Sequence, residues 1–374
     1  MKLLPLCEER GLRRIAFVGA TKHAGKTTAM NAFLREFAAS SESQRSPTST
    51  QAHGFESPSV QPFRGGSASD IVRPTVGICS IGLDGERLDA ILGLAKPPVE
   101  VAAGTLVATA ERAIAAASAP LEWLFATGIH SPLGEVVVVR ATESTNVLLA
   151  GVRSRQHVAT VMEALRRFGA DYVLVDGAFD RVAAAAPGLV DAVVLAVGAV
   201  SGRTVSEVVR HAAYVSQRFL LPPASPEVRA LFADAVASDH IGIAYASGVT
   251  RLFPREQSAE FAHGLFAANE ADGSAVTAVY VPGAVGDRLL QAAVSSERPV
   301  TVVVAHPAQL LAEEKALSSY WQKGHTLVVW TPLPLLAIAA NPVHILGHAL
   351  DRGELLREMS AAFPNVAVYD ALEG

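Results

Sequence analysis

Short apolar runs alternate with amphipathic segments through the N-terminal half of the chain. The runs are rich in Val and Ile and predict buried strands at 14–18, 75–81, 136–139, 147–150, 172–175 and 192–197. Helices are predicted at 26–39, 121–124 and 156–168. The strands at 136–139 and 147–150 are close enough in sequence to pair. Continuous apolar strands alternating with helices predict an α/β fold, a mostly parallel sheet with helices on both faces.

A second series of elements follows the Leu- and Pro-rich stretch at 220–226. Its strands are predicted at 276–281, 300–305, 326–330 and 366–369, and its helices at 287–294, 308–322 and 353–363. We therefore predict a first domain at 1–222 and a smaller α/β domain at 223–374. A Ser-, Pro-, Gln- and Gly-rich segment at about 40–70 has little apolar surface and predicts a flexible insertion; the alternative is a partner-binding or lid loop.

Composition narrows the class of protein. Half of the 374 residues are hydrophobic, and the formal net charge of -5 argues against a duplex nucleic-acid binder, which needs a basic surface. Two cysteines, Cys7 and Cys79, are too few for a disulfide framework or a four-thiolate zinc site. The chain shows neither a signal-peptide pattern at its start nor an uninterrupted apolar run of about 18 residues. We expect a cytoplasmic protein without a membrane span.

The strongest motif lies between the first predicted strand and the first predicted helix. Its residues fit the phosphate-binding pattern (A/G)-x4-G-K-(S/T): Ala20, Thr21, Lys22, His23, Ala24, Gly25, Lys26 and Thr27, followed by Thr28. Gly25 lets backbone N–H groups turn towards phosphates, and the helix start adds further donors. Lys26 would contact the β- and γ-phosphates, and the Thr27 hydroxyl would bind Mg²⁺. The sequence predicts a P-loop; the alternative is a tight strand-to-helix turn with an incidental lysine.

A P-loop also needs a carboxylate near the metal. Asp176 ends the apolar run 172–175 and is predicted to bind magnesium through water or to orient the attacking water. Asp84 follows the strand at 75–81 and would reach the same sheet edge, with Glu86 a weaker candidate. The alternatives are an acidic strand cap at Asp176 and a simple Asp-Gly turn at Asp84. We assign Lys26, Asp176 and Asp84 catalytic roles, and Thr27, Asp176 and Asp84 to the metal.

Other candidates carry less weight. Lys96 is a possible extra phosphate contact, as is Lys22. A guanine-reading N-K-x-D motif is absent from the sequence, and the segment at 269–272 is its nearest match, which favours ATP over GTP. His344 and His348 have the i, i+4 spacing of a helical metal site but no evident third ligand. His306, after a predicted strand, could line a pocket.

With these residues identified, the chain resembles the P-loop subunit of the lysine 5,6-aminomutase reactivating factor. The resemblance rests on GATKHAGKTTAMNAFLRE, VGICSIGLDGERLDAILGLAKPPVEVAAGTLVATA, ADYVLVDGAFDR, DAVVLAVGA, VYVPGAVGDRLL and ANPVHILGHALD. It implies a nucleoside-triphosphate hydrolase that couples ATP, or GTP, and Mg²⁺ to the exchange of damaged cobalamin. Its partners would be a B12-dependent aminomutase and a MutS-like companion ATPase. The segment at 40–70 departs from that family's pattern.

Two other functions remain open at this point. A ligase similar to dethiobiotin synthetase has the same strand, loop and helix, with spacing like that of Gly19 to Thr27. Against it, Lys22 and His23 stand where that ligase pattern carries acidic residues. The third hypothesis is a scaffold that binds a nucleotide without hydrolysing it.

Overall fold

The structure is a computed structural model that describes residues 2–42, 74–81, 98–152, 154–177, 188–255 and 274–373. Its strands are β1 (Arg14–Gly19), β2 (Val76–Ile81), β3 (Val99–Val101), β4 (Leu106–Ala110), β5 (Leu121–Ser131), β6 (Gly134–Ala141), β7 (Thr145–Val147), β8 (Tyr172–Gly177), β9 (Ala192–Gly198), β10 (Ile241–Tyr245), β11 (Thr250–Phe253), β12 (Val276–Val281), β13 (Thr301–Val304), β14 (Thr326–Val329), β15 (Leu335–Asn341) and β16 (Ala367–Asp370). Its helices are α1 (Leu3–Glu9), α2 (Lys26–Glu42), α3 (Glu111–Ile114), α4 (Arg155–Arg167), α5 (Val205–Ser216), α6 (Pro226–Ala237), α7 (Asp287–Val294), α8 (Glu314–Gln322) and α9 (Arg352–Ala362).

The main sheet has nine strands in the order β16-β15-β9-β1-β8-β2-β4-β6-β5. All pairs from β16 to β4 are parallel, and β6 and β5 add an antiparallel edge. The prediction of a mixed α/β fold with a large, mostly parallel sheet is confirmed. β1 lies between β8 and β9, so the loop that follows β1 leaves the sheet near its centre.

Helices cover both faces of this sheet. One face packs against α1 and α2 through side chains such as Leu4, Met30 and Phe33. The opposite face packs against α4, α5 and α9. The central strands β1, β2, β8 and β9 are buried because helices cover both faces of the sheet, which explains their continuous apolar runs. The short pair β3 and β7 forms its own antiparallel sheet and contributes to the core under α2.

A second sheet has the order β11-β10-β12-β13-β14. The pairs β12–β13 and β13–β14 are parallel, with α7 and α8 as the connecting helices. The predicted strands at 276–281, 300–305 and 326–330 are found in this sheet, whereas the helix at 353–363 and the strand at 366–369, predicted in the same series, belong to the main sheet. The sheet lies between β9 and β15 in the chain, and β15 and β16 return to the main sheet. The predicted division at residue 222 therefore does not coincide with the division between the two sheets.

Three local predictions need correction. The segment at 121–124 is part of the edge strand β5 and is not a helix. The segment at 147–150 does not pair with the Val run at 136–139; β7 ends at Val147 and pairs with β3, whereas β6 pairs with β4 and β5. The predicted helix at 308–322 is a 3-10 turn at Pro307–Gln309 followed by α8.

The predicted insertion at 40–70 falls mostly on residues 43–73, which lie outside the described residues; its first three residues belong to α2. Across the described part of the chain, each helix is too short or too polar to cross a membrane.

Candidate functional site

The loop after β1 makes a sharp turn into α2, which begins at Lys26 as predicted. Two of its residues have left-handed backbones, His23 with φ 60° and Gly25 with φ 98°. The N–H of Ala20 donates to Ala196 O of β9 at 2.8 Å, which fixes the start of the loop to the sheet. The first N–H groups of α2 have no carbonyl one turn earlier to bond, so the helix start offers donors at the carboxyl edge of β1.

Lys26 reaches across the loop to the neighbouring strand. Its Nζ donates to Gly177 O, the last residue of β8, at 2.7 Å. The side chain also lies over Gly19, where an added Cβ would stand 3.0 Å from Lys26 Cγ and 2.8 Å from Thr21 O. A glycine before the motif is therefore required for the lysine to fold back over the loop.

Asp176 lies beside this lysine contact, one residue before Gly177. In the sheet it stands level with Phe17 of β1 and Ser80 of β2, and it is only 4% exposed. It follows the alternation of Tyr172 and Leu174, which face α2. Thr27, in the first turn of α2, is also buried. The sheet thus brings a hydroxyl, an ammonium group and a carboxylate to one edge.

The charge of Asp176 acts on the nearby thiol of Cys79. Burial, and then the charge of Asp176, raise the pKa of the Cys79 thiol to about 12. Cys79 is therefore a neutral thiol at physiological pH and is not a reactive thiolate.

Asn341 is part of the site although sequence analysis did not single it out. It ends β15 and is 8% exposed. A Cβ added to Gly25 would lie 2.7 Å from Asn341 Nδ2, and one added to Gly198 would lie 2.7 Å from Asn341 O. Its Oδ1 accepts a hydrogen bond from Val343 N at 3.2 Å. Asn341 therefore packs against the Gly25 turn at the ends of β9 and β15.

Two side chains from the segment after β9 support the loop. Thr21 Oγ1 and Ser201 Oγ are 3.5 Å apart, and His211 Nε2 lies 3.4 Å from Ala20 O. Ser201 is in a short 3-10 turn and His211 is in α5, so these contacts tie the loop to the opposite face of the sheet from α2.

The structure places the residues 20–28 and Asp176 at one sheet edge, as the sequence predicts. Asp84, Glu86, Lys96 and the segment at 269–272 lie outside the described residues. His344 and His348 stack with ring centroids 4.2 Å apart in a hairpin closed by a Val343–Ala349 bridge, so they are not on a helix.

The donor set fits a hard cation and a polyphosphate. Hydroxyl and carboxylate oxygens are what Mg²⁺ takes from proteins, with phosphate oxygens and water completing its shell. Among the residues that the structure describes, no group of three or more His, Cys, Asp or Glu side chains is arranged so that it could hold a metal ion.

Comparison with protein-family models, with curated proteins and with solved structures gave no significant match.

Proposed function

We propose that this chain is a P-loop NTPase that binds ATP, or less favourably GTP, with Mg²⁺ and hydrolyses it. The observation that supports it best is the contact between Lys26 Nζ and Gly177 O. It places the motif's lysine directly beside the strand end that carries Asp176. A P-loop fold would explain why the lysine at the start of α2 reaches the strand end next to a buried carboxylate.

In this proposal the chemistry is electrostatic. Backbone N–H groups around Gly25 and the Lys26 ammonium stabilise negative charge on the β- and γ-phosphates as water attacks. Thr27 and Asp176 would hold Mg²⁺, which neutralises phosphate charge when bound. Asp84 remains a proposed second carboxylate for the metal or the attacking water.

Lys26 would also connect nucleotide binding to the end of β8. A γ-phosphate competes with the Gly177 carbonyl for the ammonium group, because a phosphate is the stronger acceptor. Loss of this contact would free the Gly177 carbonyl at the end of β8 when the nucleotide binds.

We further propose that hydrolysis drives the exchange of damaged cobalamin in a B12-dependent aminomutase, together with a MutS-like companion ATPase. The six sequence segments that resemble the reactivating-factor subunit support this role. Two of them, around Lys26 and around Asp176, are the segments that meet at the candidate site.

The test is phosphate release from MgATP and MgGTP by the full chain, alone and with a cobalamin-dependent aminomutase. The proposal expects slow release alone and faster release with the mutase. Lys26→Ala should reduce release to background while the variant keeps its fold. Lys315→Ala removes a lysine from an exposed position on α8 and should leave the rate unchanged.

Each alternative function gives a different result in this assay. A ligase similar to dethiobiotin synthetase would release almost no phosphate until a small-molecule acceptor is added. Tight triphosphate binding without phosphate release, even with partners present, would identify a scaffold. Equal release by the unchanged chain and by Lys26→Ala would refute the catalytic role of the lysine.

A further inference from the structure

A short hairpin with an apolar tip follows β15, and we call its residues 343–349 the histidine hairpin. His344 N donates to His348 O at 2.9 Å, and a Val343–Ala349 bridge closes the base of the hairpin. Its sequence VHILGHA contains no Asp, Glu, Lys or Arg. Its exposed apolar side chains are Val343, Ile345 and Leu346, and Leu346 is 80% exposed. Apolar side chains exposed together indicate a surface that binds a ligand or a partner.

The two histidines of this hairpin present a flat aromatic surface. Their ring centroids are 4.2 Å apart, and the ring planes differ by 18°. Among the described residues, no other aromatic ring stacks on either imidazole. His348 is exposed, so the face of its ring that is turned away from His344 reaches solvent. A planar ligand can therefore extend the stack from His348.

His344 is held as a neutral ring. Leu346 N donates to His344 Nδ1 at 3.0 Å, so in the neutral imidazole the proton is on Nε2. Desolvation, and then the charge of His348, lower the pKa of His344 below 6.5. With one nitrogen engaged and the other protonated, His344 has no free lone pair for a metal ion. The pair is thus better suited to a planar ligand than to a cation.

The histidine hairpin begins beside the phosphate-binding loop. Asn341, two residues before the hairpin, touches the turn of that loop: a Cβ added to Gly25 would lie 2.7 Å from Asn341 Nδ2. Asn341 Oδ1 also accepts a hydrogen bond at 3.2 Å from the N–H of Val343, the first residue of the hairpin. One side chain therefore contacts both the loop and the base of the hairpin.

The order of the strands gives a direction to a nucleotide bound in the loop. Asp176, which we propose for Mg²⁺, is on β8 at one side of β1, whereas β9 and β15 lie at the other side. Neighbouring strands are about 4.8 Å apart, so about 14 Å separates β8 from β15, a span comparable with an extended nucleoside triphosphate. With the γ-phosphate and the metal beside Asp176, the ribose and the base extend over β9 towards the histidine hairpin.

We propose that the histidine hairpin binds the nucleobase of the triphosphate, which stacks on the His348 ring and packs against the apolar tip. This inference rests on the proposed function, because it needs a triphosphate in the loop. The stack recognises the flat face that all bases share, so it adds affinity for a nucleoside triphosphate over inorganic tripolyphosphate. The loop binds the charged part of the ligand, and the uncharged hairpin binds its uncharged part.

The test is calorimetric titration of the full chain with MgATP and with magnesium tripolyphosphate, which has the phosphates but no base. His348→Ala should weaken the binding of MgATP about fivefold or more, because the stacking of one base is lost, and should leave the binding of tripolyphosphate unchanged. His348→Phe keeps an aromatic face and should keep most of the MgATP affinity. His130→Ala is the matched control, because His130 is exposed on β5 at the opposite edge of the sheet, and it should bind both ligands normally.

The two ligands separate failure of this proposal from failure of the proposed function. If neither ligand binds the unchanged chain, the phosphate-binding loop is refuted, and the hairpin proposal with it. If His348→Ala binds MgATP as tightly as the unchanged chain, or loses affinity equally for both ligands, the hairpin proposal alone is overturned. A His348→Phe protein as weak as His348→Ala would also overturn it, because the ring face would then not be what the base contacts.

Discussion

At the scale of single residues, the geometry of the loop after β1 depends on Gly19, Gly25 and Asn341. Gly25 has a backbone that side chains rarely adopt, and Asn341 occupies the space where its Cβ would be. The loop itself could be predicted from sequence because the glycine, lysine and threonine of the motif are adjacent. Asn341 could not, because it is more than 300 residues away and reaches Gly25 only through the pairing of β15 with β9.

We predict that Gly25→Ala destabilises the protein and prevents triphosphate binding. A left-handed non-glycine residue costs about 1–3 kcal/mol, and the contact with Asn341 Nδ2 adds to this cost. Chemical denaturation and nucleotide titration measure the two effects. Gly353→Ala is the control, since Gly353 is the second residue of α9, is not among the positive-φ glycines, and has the end of the Arg357 side chain as its nearest contact. That variant should not be destabilised; a Gly25→Ala protein of unchanged stability would contradict the prediction.

At the scale of elements, the strands β1, β8 and β9 beside the loop were predictable, whereas the edge strand β5 was not. β1, β8 and β9 are covered on both faces, so their sequences are apolar apart from Arg14 at the start of β1 and Asp176 near the end of β8. β5 is at the edge, and its residues are mostly exposed or half-buried, including Trp123 and Phe125. Its irregular pattern, interrupted by register shifts against β6, resembles neither a strand nor a helix clearly. A strand is thus easier to predict from its sequence when neighbouring elements bury both of its faces.

The Asp191 carboxylate joins the amino ends of β1 and β9, and its contribution to the stability of the fold should depend on pH. Burial alone would raise the pKa of Asp191, but hydrogen bonds from the Arg14 side chain and from the N–H groups of Arg13 and Arg14 lower it below 3.8. A lowered pKa stabilises the fold above pH 3.8, and this contribution is lost as pH falls through the folded-state value.

We predict that Asp191→Asn lowers the free energy of unfolding at pH 7 by about 1 kcal/mol, because a partly exposed pair with backbone donors is lost. The difference from the unchanged protein should shrink below pH 3.8. Urea denaturation of both proteins at pH 7 and below pH 3.8 measures this difference in the free energy of unfolding. Asp239→Asn is the control, because Asp239 and Arg255 form a 2.9 Å pair with exposed side chains. A pH-independent loss in Asp191→Asn would contradict the proposed role of the carboxylate charge.

At the scale of the whole molecule, the segment that forms the second sheet is inserted in the chain between β9 and β15 of the main sheet. The segment that leaves the main sheet and the segment that returns are neighbours: Val329 N donates to Pro222 O at 2.9 Å, and Ala224 N donates to Val329 O at 2.8 Å. The returning strand β15 pairs with β9 and ends in Asn341. Sequence patterns could not reveal this return, because an Ala-rich run such as LLAIAAN has no clear period and strand pairing is not local.

The nested topology predicts different outcomes for two deletions. Ending the chain at residue 222 removes β15 and β16, and with them Asn341 and the Tyr369 hydroxyl that donates to Ala29 O of α2 at 3.4 Å. We expect this fragment to lose cooperative unfolding and triphosphate binding. Removing 223–329 and joining 222 to 330 with a short Gly-Ser linker keeps all nine strands of the main sheet, and the ends are already within hydrogen-bond reach of one another. This second protein should bind MgATP as tightly as the full chain does under the proposed function, and calorimetry on both proteins measures it. If the fragment 1–222 instead binds MgATP as tightly as the full chain, then β15 does not hold the loop, and the role assigned to Asn341 is wrong.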